Sequence, residues 1–350
     1  MAEVPALLEK LLRPSAPSGH EGPAAAVWRE EASFASLAFD GLGSSIARIG
    51  DASPLLAVVG HIDEIGLVIT HIDEKGFLWF APIGGWDPQV LVGQRVAIGS
   101  RDGTVPGVVG RKPIHLLEAE QRKKAAELKR LHIDVGAADR DEAAALVRVG
   151  DPVTVAAEPL RLAGDRLASR AMDNRLGAYV ALEALRRTAV ERGSLRGSFA
   201  AVAAVQEEIG LYGARTSAFE VRPDLALAVD VTHATDAPGV EEKEIGSHPL
   251  GSGPAIGRGS TLSPKVFELL VETAEEAGIE HTILASGRGT STDADAIQIS
   301  RSGIPTGLVS IPLRYMHSPV ELVDLGDVEA AVELIAAFAA RLEDAVDLRR

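Results

Sequence analysis

Four short apolar runs constrain this chain more than any other feature. They are "PLLAVVG" leading to His61, "SFAAVAAVQ" leading to Glu207, "DLALAV" leading to Asp230, and "PTGLVSIPLRYM" running into His317. An unbroken apolar run of this length is the pattern of a strand buried on both faces, as in a sheet covered by helices on each side. Helical spacing fills the gaps between them, over "RLGAYVALEALRRTA" (175–189), "SPKVFELLVETAEEAG" (263–278) and "VEAAVELIAAFAARLEDAV" (328–346). A further strand is expected at "HTILASG". The N-terminal stretch predicts two helices around a Pro/Ser/Gly break, with Leu7, Leu8, Leu11 and Leu12 giving the apolar stripe. The fold class is therefore α/β.

From about residue 66 to 159 the texture changes. Alternating segments such as "GLVITHI", "GFLWFAPIGG" and "QRVAIGS" are separated by Gly-rich turns, which reads as a small β-rich unit. One charged helix is expected within it, over "EAEQRKKAAELKR" (118–130). The chain is read as one α/β domain, residues 1–65 and 160–350, interrupted by a β-rich insert at 66–159.

Composition excludes several functions. A formal charge of −15 is wrong for a duplex nucleic-acid binder, which needs a basic face. With no cysteine there is no thiolate chemistry and no Cys-type zinc site. No apolar run approaches the roughly 20 residues of a membrane helix, and the N-terminus lacks a signal-peptide pattern, so no membrane partner and a cytoplasmic location are expected.

In an open α/β sheet, ligands bind outside the carboxyl ends of the strands. That rule selects His61 and Asp63, Glu207 and Glu208, Asp230, and His317, while Asp173 opens the helix after "GDRLASRAM". Each alone has a bland explanation: a solvated histidine, an N-cap aspartate, a polar turn. Gathered at one edge they are a metal-site inventory, and imidazoles with carboxylates suit zinc, cobalt or manganese. The tetrapeptide His-Ile-Asp-Glu occurs twice, at 61–64 and again at 71–74. The first copy ends a buried strand. The second ends the alternating strand "GLVITHI" and runs into "DEKG", a hairpin turn, so His71 is not expected to carry chemistry.

The segments "GHIDEIG", "IGGWDPQVLVGQRVAI", "KPIHLL", "AMDNRLGAY", "QEEIGLYGA", "DVTHATDAPG" and "TDADAIQISRSGIPTGLVSIPLRYMHSPVE" resemble the dinuclear-metal aminopeptidases of metallopeptidase family 42, which include the TET aminopeptidases. The resemblance implies a mixed-sheet metallopeptidase domain and two divalent ions per subunit. Asp173 would bridge them, His61 and Asp230 completing one and Glu208 and His317 the other. Glu207 would be the general base, with Asp63 orienting His61. It also implies peptide substrates with a free N-terminus, and an insert that builds a dimer and then a dodecamer. Two other functions compete: a cellulase-like glycoside hydrolase and a non-catalytic metal-bound assembly protein. Adjacent Glu207 and Glu208 are awkward for carboxylates opposed across a sugar at roughly 5–9.5 Å. A scaffold would need no Glu207.

Overall fold

The computed structural model describes residues 3–190, 197–342 and 348. The two expected N-terminal helices, Ala6–Leu12 and Gly22–Glu31, precede three strands: β1 (Ser36–Phe39), β2 (Ser45–Ile49) and β3 (Leu55–His61). The insert follows with β4 (Gly66–Ile72), β5 (Leu78–Ile83), β6 (Arg95–Ser100), β7 (Gly103–Gly110), β8 (His132–Asp134) and β9 (Pro152–Val155). The remainder holds β10 (Leu160–Arg161), β11 (Arg166–Ser169), β12 (Ser198–Ala204), β13 (Leu225–His233), β14 (Ala255–Gly259), β15 (Thr282–Ser286), β16 (Thr306–Arg314) and β17 (Glu321–Asp324).

The large sheet is mixed and runs β1-β2-β12-β3-β13-β16-β17-β11-β10, with β14 pairing both β16 and β15. Its four central strands, β12, β3, β13 and β16, are mutually parallel neighbours. These are the four apolar runs, lying side by side with their carboxyl ends at one edge. Both faces are covered, and strand alternation divides the side chains between them. On β3, Leu56 and Val58 pack with Trp28, Leu176, Leu182 and Phe338 of the helices on one side. Leu55, Ala57 and Val59 pack with Ala214, Ala218 and Ile297 on the other. That double burial is why the runs carry almost no polar residues.

The six insert strands close into a barrel, β4-β5-β8-β7-β6-β9. It has a core of its own, which includes Leu67, Ile69, Val96, Ile98, Ile133 and Val153. Alternation along "GLVITHI" sends Leu67 and Ile69 into that core, and a register shift between Ile69 and His71 then breaks it, so that Ile72 is buried and His71 is left exposed.

One expectation is corrected. The charged helix at 118–130 is a single turn, Ala119–Arg122, followed by coil and a 3-10 turn, Leu128–Arg130. The segment has no apolar stripe to bury, and propensity alone rarely sustains an isolated helix of that length in water. The antiparallel strands β1 and β2 escaped the sequence reading: β1 is exposed along its whole length and carries no burial pattern, and β2 is short, with a serine and an arginine among its five residues. The C-terminal helix runs Leu325–Arg341, and the rest of the expected span, from 343, lies outside the described residues.

Candidate metal centre

Every residue selected by the strand-end rule arrives at one edge of the large sheet. His61 is the last residue of β3, and Asp230 lies on β13 opposite Ser310 of β16. Glu207 and Glu208 follow β12 through Gln206, whose φ of 57° turns the chain sharply. His317 follows β16, also in the left-handed region at φ 59°. Asp173 and Asn174 have non-helical backbone angles, so the regular helix begins beyond them. Asn174 Oδ1 accepts from the Gly177 amide at 2.9 Å, capping that helix. Its Nδ2 donates to the Val229 carbonyl at 2.7 Å, tying Asp173 beside Asp230.

Asp173 stands between the two histidines. Its Oδ1 is 3.2 Å from His61 Nε2 and its Oδ2 is 3.5 Å from His317 Nε2. Glu208 Oε2 lies 3.4 Å from the same nitrogen of His317. Glu207 Oε2 lies 3.7 Å from His61 Nε2. Two sets of donor atoms converge, His61–Asp173–Glu208 and His61–Glu207–Asp230, each within 4.8 Å of one another. Together they line a cavity of about 350 Å³ with Leu284, Leu308 and Met316.

The charges in this cluster do not balance among themselves. Burial opposes a charge on His61, but Glu207 and the bonds to Asp173 and Asp63 outweigh it and hold the ring well above its ordinary value. Hydrogen bonds to Asp173 and Glu208 push His317 up to about 11. In return, and against its burial, Asp173 is held below the usual carboxylate range by His317 and His61. For the other acids burial outweighs the relief that His61 gives. Burial, with Asp230, Asp293 and Glu208 nearby, pushes Glu207 up to about 10. Asp230 is also driven well above its ordinary value, by burial first.

These residues fit a pair of divalent cations. Donor separations of 3.2 to 3.5 Å match the edge of a tetrahedron with metal bonds of about 2.1 Å, roughly 3.4 Å. Glu208 Oε1 is buried without a hydrogen-bond partner, as a donor atom awaiting an ion would be. Positive charge placed among the acids would remove the repulsion that keeps them protonated.

The structure gives Asp63 a wider role than orienting His61. His61 Nδ1 is 3.3 Å from the Asp63 main-chain carbonyl and 3.5 Å from its Oδ1. The carboxylate also accepts from the amides of Glu207 at 3.1 Å and Glu208 at 3.2 Å, and from Ser18 Oγ at 2.6 Å. It thus holds the turn that carries both glutamates.

Some site residues escaped the sequence reading. Asp293 is 2% exposed with neither carboxylate oxygen partnered, and burial pushes it up to about 7. Its signal was an acid directly after the N-cap Thr292, at the start of the helix Asp293–Ile297. Gly85 of the insert lies against His317: a Cβ there would meet the ring nitrogen at 3.3 Å. A Cβ on Gly84, at φ +73°, would meet Ile65 at 2.6 Å and Glu208 at 3.2 Å. The paired glycines of "IGGW" let the barrel close onto the site.

The second His-Ile-Asp-Glu copy does different work. Asp73 Oδ1 accepts from the amides of Lys75 and Phe77 at 2.9 and 3.0 Å, and Oδ2 from Trp79 Nε1 at 3.2 Å. Glu74 pairs with Arg140 at the surface. This copy organises a hairpin.

Known proteins resemble this chain over most of its length. The chain is 36% identical to a lysyl aminopeptidase of Pyrococcus furiosus over 306 residues, covering 87% of this chain and 86% of that one. Among solved structures, a TET aminopeptidase from a marine sediment archaeon of the Thaumarchaeota superposes with a TM-score of 0.92 at 34% identity, over 96% of each chain. The TET1 peptidase of Pyrococcus horikoshii, described as assembling into a tetrahedron or a large octahedral shell, superposes with a TM-score of 0.86 at 32% identity, over 96% of this chain and 99% of that one. Residues 43–334 match the M42 glutamyl aminopeptidase family, and the chain belongs to it.

Proposed function

We propose that this M42 aminopeptidase removes N-terminal residues from peptides by a two-metal mechanism with Glu207 as general base. The observation that carries the reading is the placement of Asp173, one carboxylate oxygen toward each histidine. His61, Asp173 and Asp230 would hold one ion, and Asp173, Glu208 and His317 the other. The unpartnered Oε1 of Glu208 favours it over Glu207 as the donor. Zinc or cobalt suits the set best, with manganese possible. Such ions, when bound, acidify water and polarise a carbonyl.

The protein's own groups do the rest. Glu207 takes the proton of the attacking water and returns it to the leaving amine, a contribution of about 10²–10⁴-fold. Asp63 keeps Glu207 aimed by holding its amide. Beyond the clustered acids and histidines, His233 is the one ionisable residue on the cavity wall among the described residues, and Leu284, Leu308 and Met316 are apolar.

The barrel insert is proposed to mediate a dimer, and the dimers a dodecamer, in keeping with the assemblies described for the Pyrococcus horikoshii relative. Membership of a peptidase family supports the peptidase reading over the glycosidase and scaffold alternatives. The direct test is a matched pair of peptides, one with a free N-terminus and one N-acetylated, with and without a chelator. Cleavage of the free peptide alone, abolished by the chelator, supports the reading. Comparable cleavage of the acetylated peptide contradicts it.

A further inference from the structure

Two buried acids outside both donor sets grip the backbone of the segments that carry donors and base. Glu321, the first residue of β17, is 2% exposed. Its Oε2 accepts from the Asp173 amide at 3.1 Å and its Oε1 from the His317 amide at 2.9 Å. Glu21, beside the N-terminal helix Gly22–Glu31, is 7% exposed. Its Oε1 alone accepts from the amides of Gly19 at 2.6 Å and Gln206 at 3.1 Å. With Asp63 holding the amides of Glu207 and Glu208, three consecutive amides of that turn end on carboxylates.

The gripped residues need such support. Gln206 and His317 both sit in the left-handed region, at φ 57° and 59°. That conformation is unfavourable for a residue with a Cβ and persists only where its surroundings impose it. Released, each turn would relax, and the side chains of Glu207 and His317 would swing from their targets.

We propose that Glu321 and Glu21 are positioning residues. Glu321 sets the spacing of Asp173 and His317, and so the fit of one metal ion. Glu21 sets the aim of the turn bearing Glu207, and so the rate of proton transfer. The inference rests on the two-metal reading above. The way each acid uses its oxygens separates their responses to substitution. Glu321 spends one oxygen on each amide, so glutamine there must turn its NH₂ toward an N–H and lose one bond. Glu21 serves both amides with one oxygen, which a glutamine carbonyl can replace.

The test uses the full chain as wild type, Glu321→Gln, Glu21→Ala and Glu21→Gln. Each is checked for folding by thermal melting, titrated calorimetrically with zinc or cobalt alone, and assayed with leucine p-nitroanilide for kcat and KM. Glu321→Gln should bind one ion about 10- to 100-fold more weakly. Excess metal should restore part of its activity. Glu21→Ala should bind both ions as the wild type does, with KM unchanged and kcat lowered about 10- to 100-fold. Glu21→Gln should recover kcat to within about threefold of wild type, because a neutral acceptor keeps both bonds in weaker form.

Wild-type metal affinity in Glu321→Gln would overturn its role. Wild-type kcat in Glu21→Ala, or equal impairment in Glu21→Gln, would overturn that of Glu21. If Glu321→Gln does not fold, the kcat ratio of the two Glu21 variants still decides whether amide gripping positions the turn. The titration uses the metal alone, so a wild type that bound two ions without cleaving peptide would contradict the aminopeptidase mechanism and leave the Glu321 comparison standing.

Discussion

The same four residues, His-Ile-Asp-Glu, end two successive strands of this protein and do unrelated work. At 61–64 all four side chains are buried at the carboxyl edge of the central parallel strands. His61 joins the donor cluster, Asp63 holds the glutamate turn, and Glu64 receives Arg170 and Arg175 in a buried ion network. At 71–74 the strand belongs to the barrel, His71 points to solvent, and the aspartate and glutamate shape a hairpin. Identical sequence acquires chemistry only where the fold removes water and brings partners. The contrast can be broken or sharpened residue by residue.

The largest expected effect is at the histidines. His61→Ala should lower kcat/KM on the order of 10³-fold or more, with loss of bound metal, since it removes a proposed donor of one ion and the partner of the bridging Asp173. His71→Ala should stay within about twofold of wild type, as expected of an exposed substitution. Equal losses in the two variants would dissolve the distinction.

The glutamates differ in stability. Arg175 is fully buried and donates to Glu64 at 2.7 Å, and also to the carbonyls of Leu11 and Pro14. Arg170 binds the other Glu64 oxygen and the carbonyls of Arg13 and Pro14. Removing the shared anion strands two buried cations, so Glu64→Gln should cost about 3–5 kcal/mol in denaturant unfolding. Glu74→Gln, at an exposed pair, should cost under about 0.5 kcal/mol.

The same network predicts a pH response. Burial alone would raise Glu64, but Arg175 and Arg170 outweigh it and hold its carboxyl below the ordinary 4.5. A carboxyl depressed in the folded state stabilises fully above its unfolded value, and that stability is lost as pH falls through the folded one. Wild-type stability should therefore fall in acid below about pH 4.5 more steeply than that of Glu64→Gln. Parallel acid profiles would remove Glu64 as a cause.

The smallest contrast lies at the aspartates. Asp63→Asn should lower kcat about 10- to 100-fold, because one amide of the glutamate turn then meets an NH₂ instead of an acceptor. Asp73→Asn should leave kcat unchanged and lower unfolding free energy by about 1 kcal/mol through its hairpin bonds. Comparable kinetics in the two variants would show that Asp63 holds nothing the reaction needs.

Much of this was legible before any coordinates. Burial on both faces leaves a written trace, the unbroken runs, and the strand-end rule then pointed to His61, Asp63, Glu207, Glu208, Asp230 and His317, with Asp173 read at the opening of a helix. The trace fails where function is carried by backbone. Glu21 and Glu321 each join a neighbouring amide to one far away in sequence, Gln206 and Asp173, so neither differs in the sequence from a surface acid, and Asp293 shows only as an acid after an N-cap. Exposed β1 shows the same limit from the other side: a strand without a buried face has no pattern to read. Charge without an apolar stripe misled the reading of 118–130, where propensity alone does not hold a helix.

The account's central claim is that Glu208 holds metal while its neighbour Glu207 moves the proton. Metal content measured beside kinetics on Glu207→Gln and Glu208→Gln tests it directly. Glu207→Gln should keep two ions per subunit and lose about 10²–10⁴-fold in kcat, because an amide cannot accept the proton. Glu208→Gln should lose one ion and regain part of its activity in excess zinc or cobalt. Loss of metal from Glu207→Gln with full occupancy in Glu208→Gln would exchange the two roles, and near-normal turnover in either variant would contradict the mechanism.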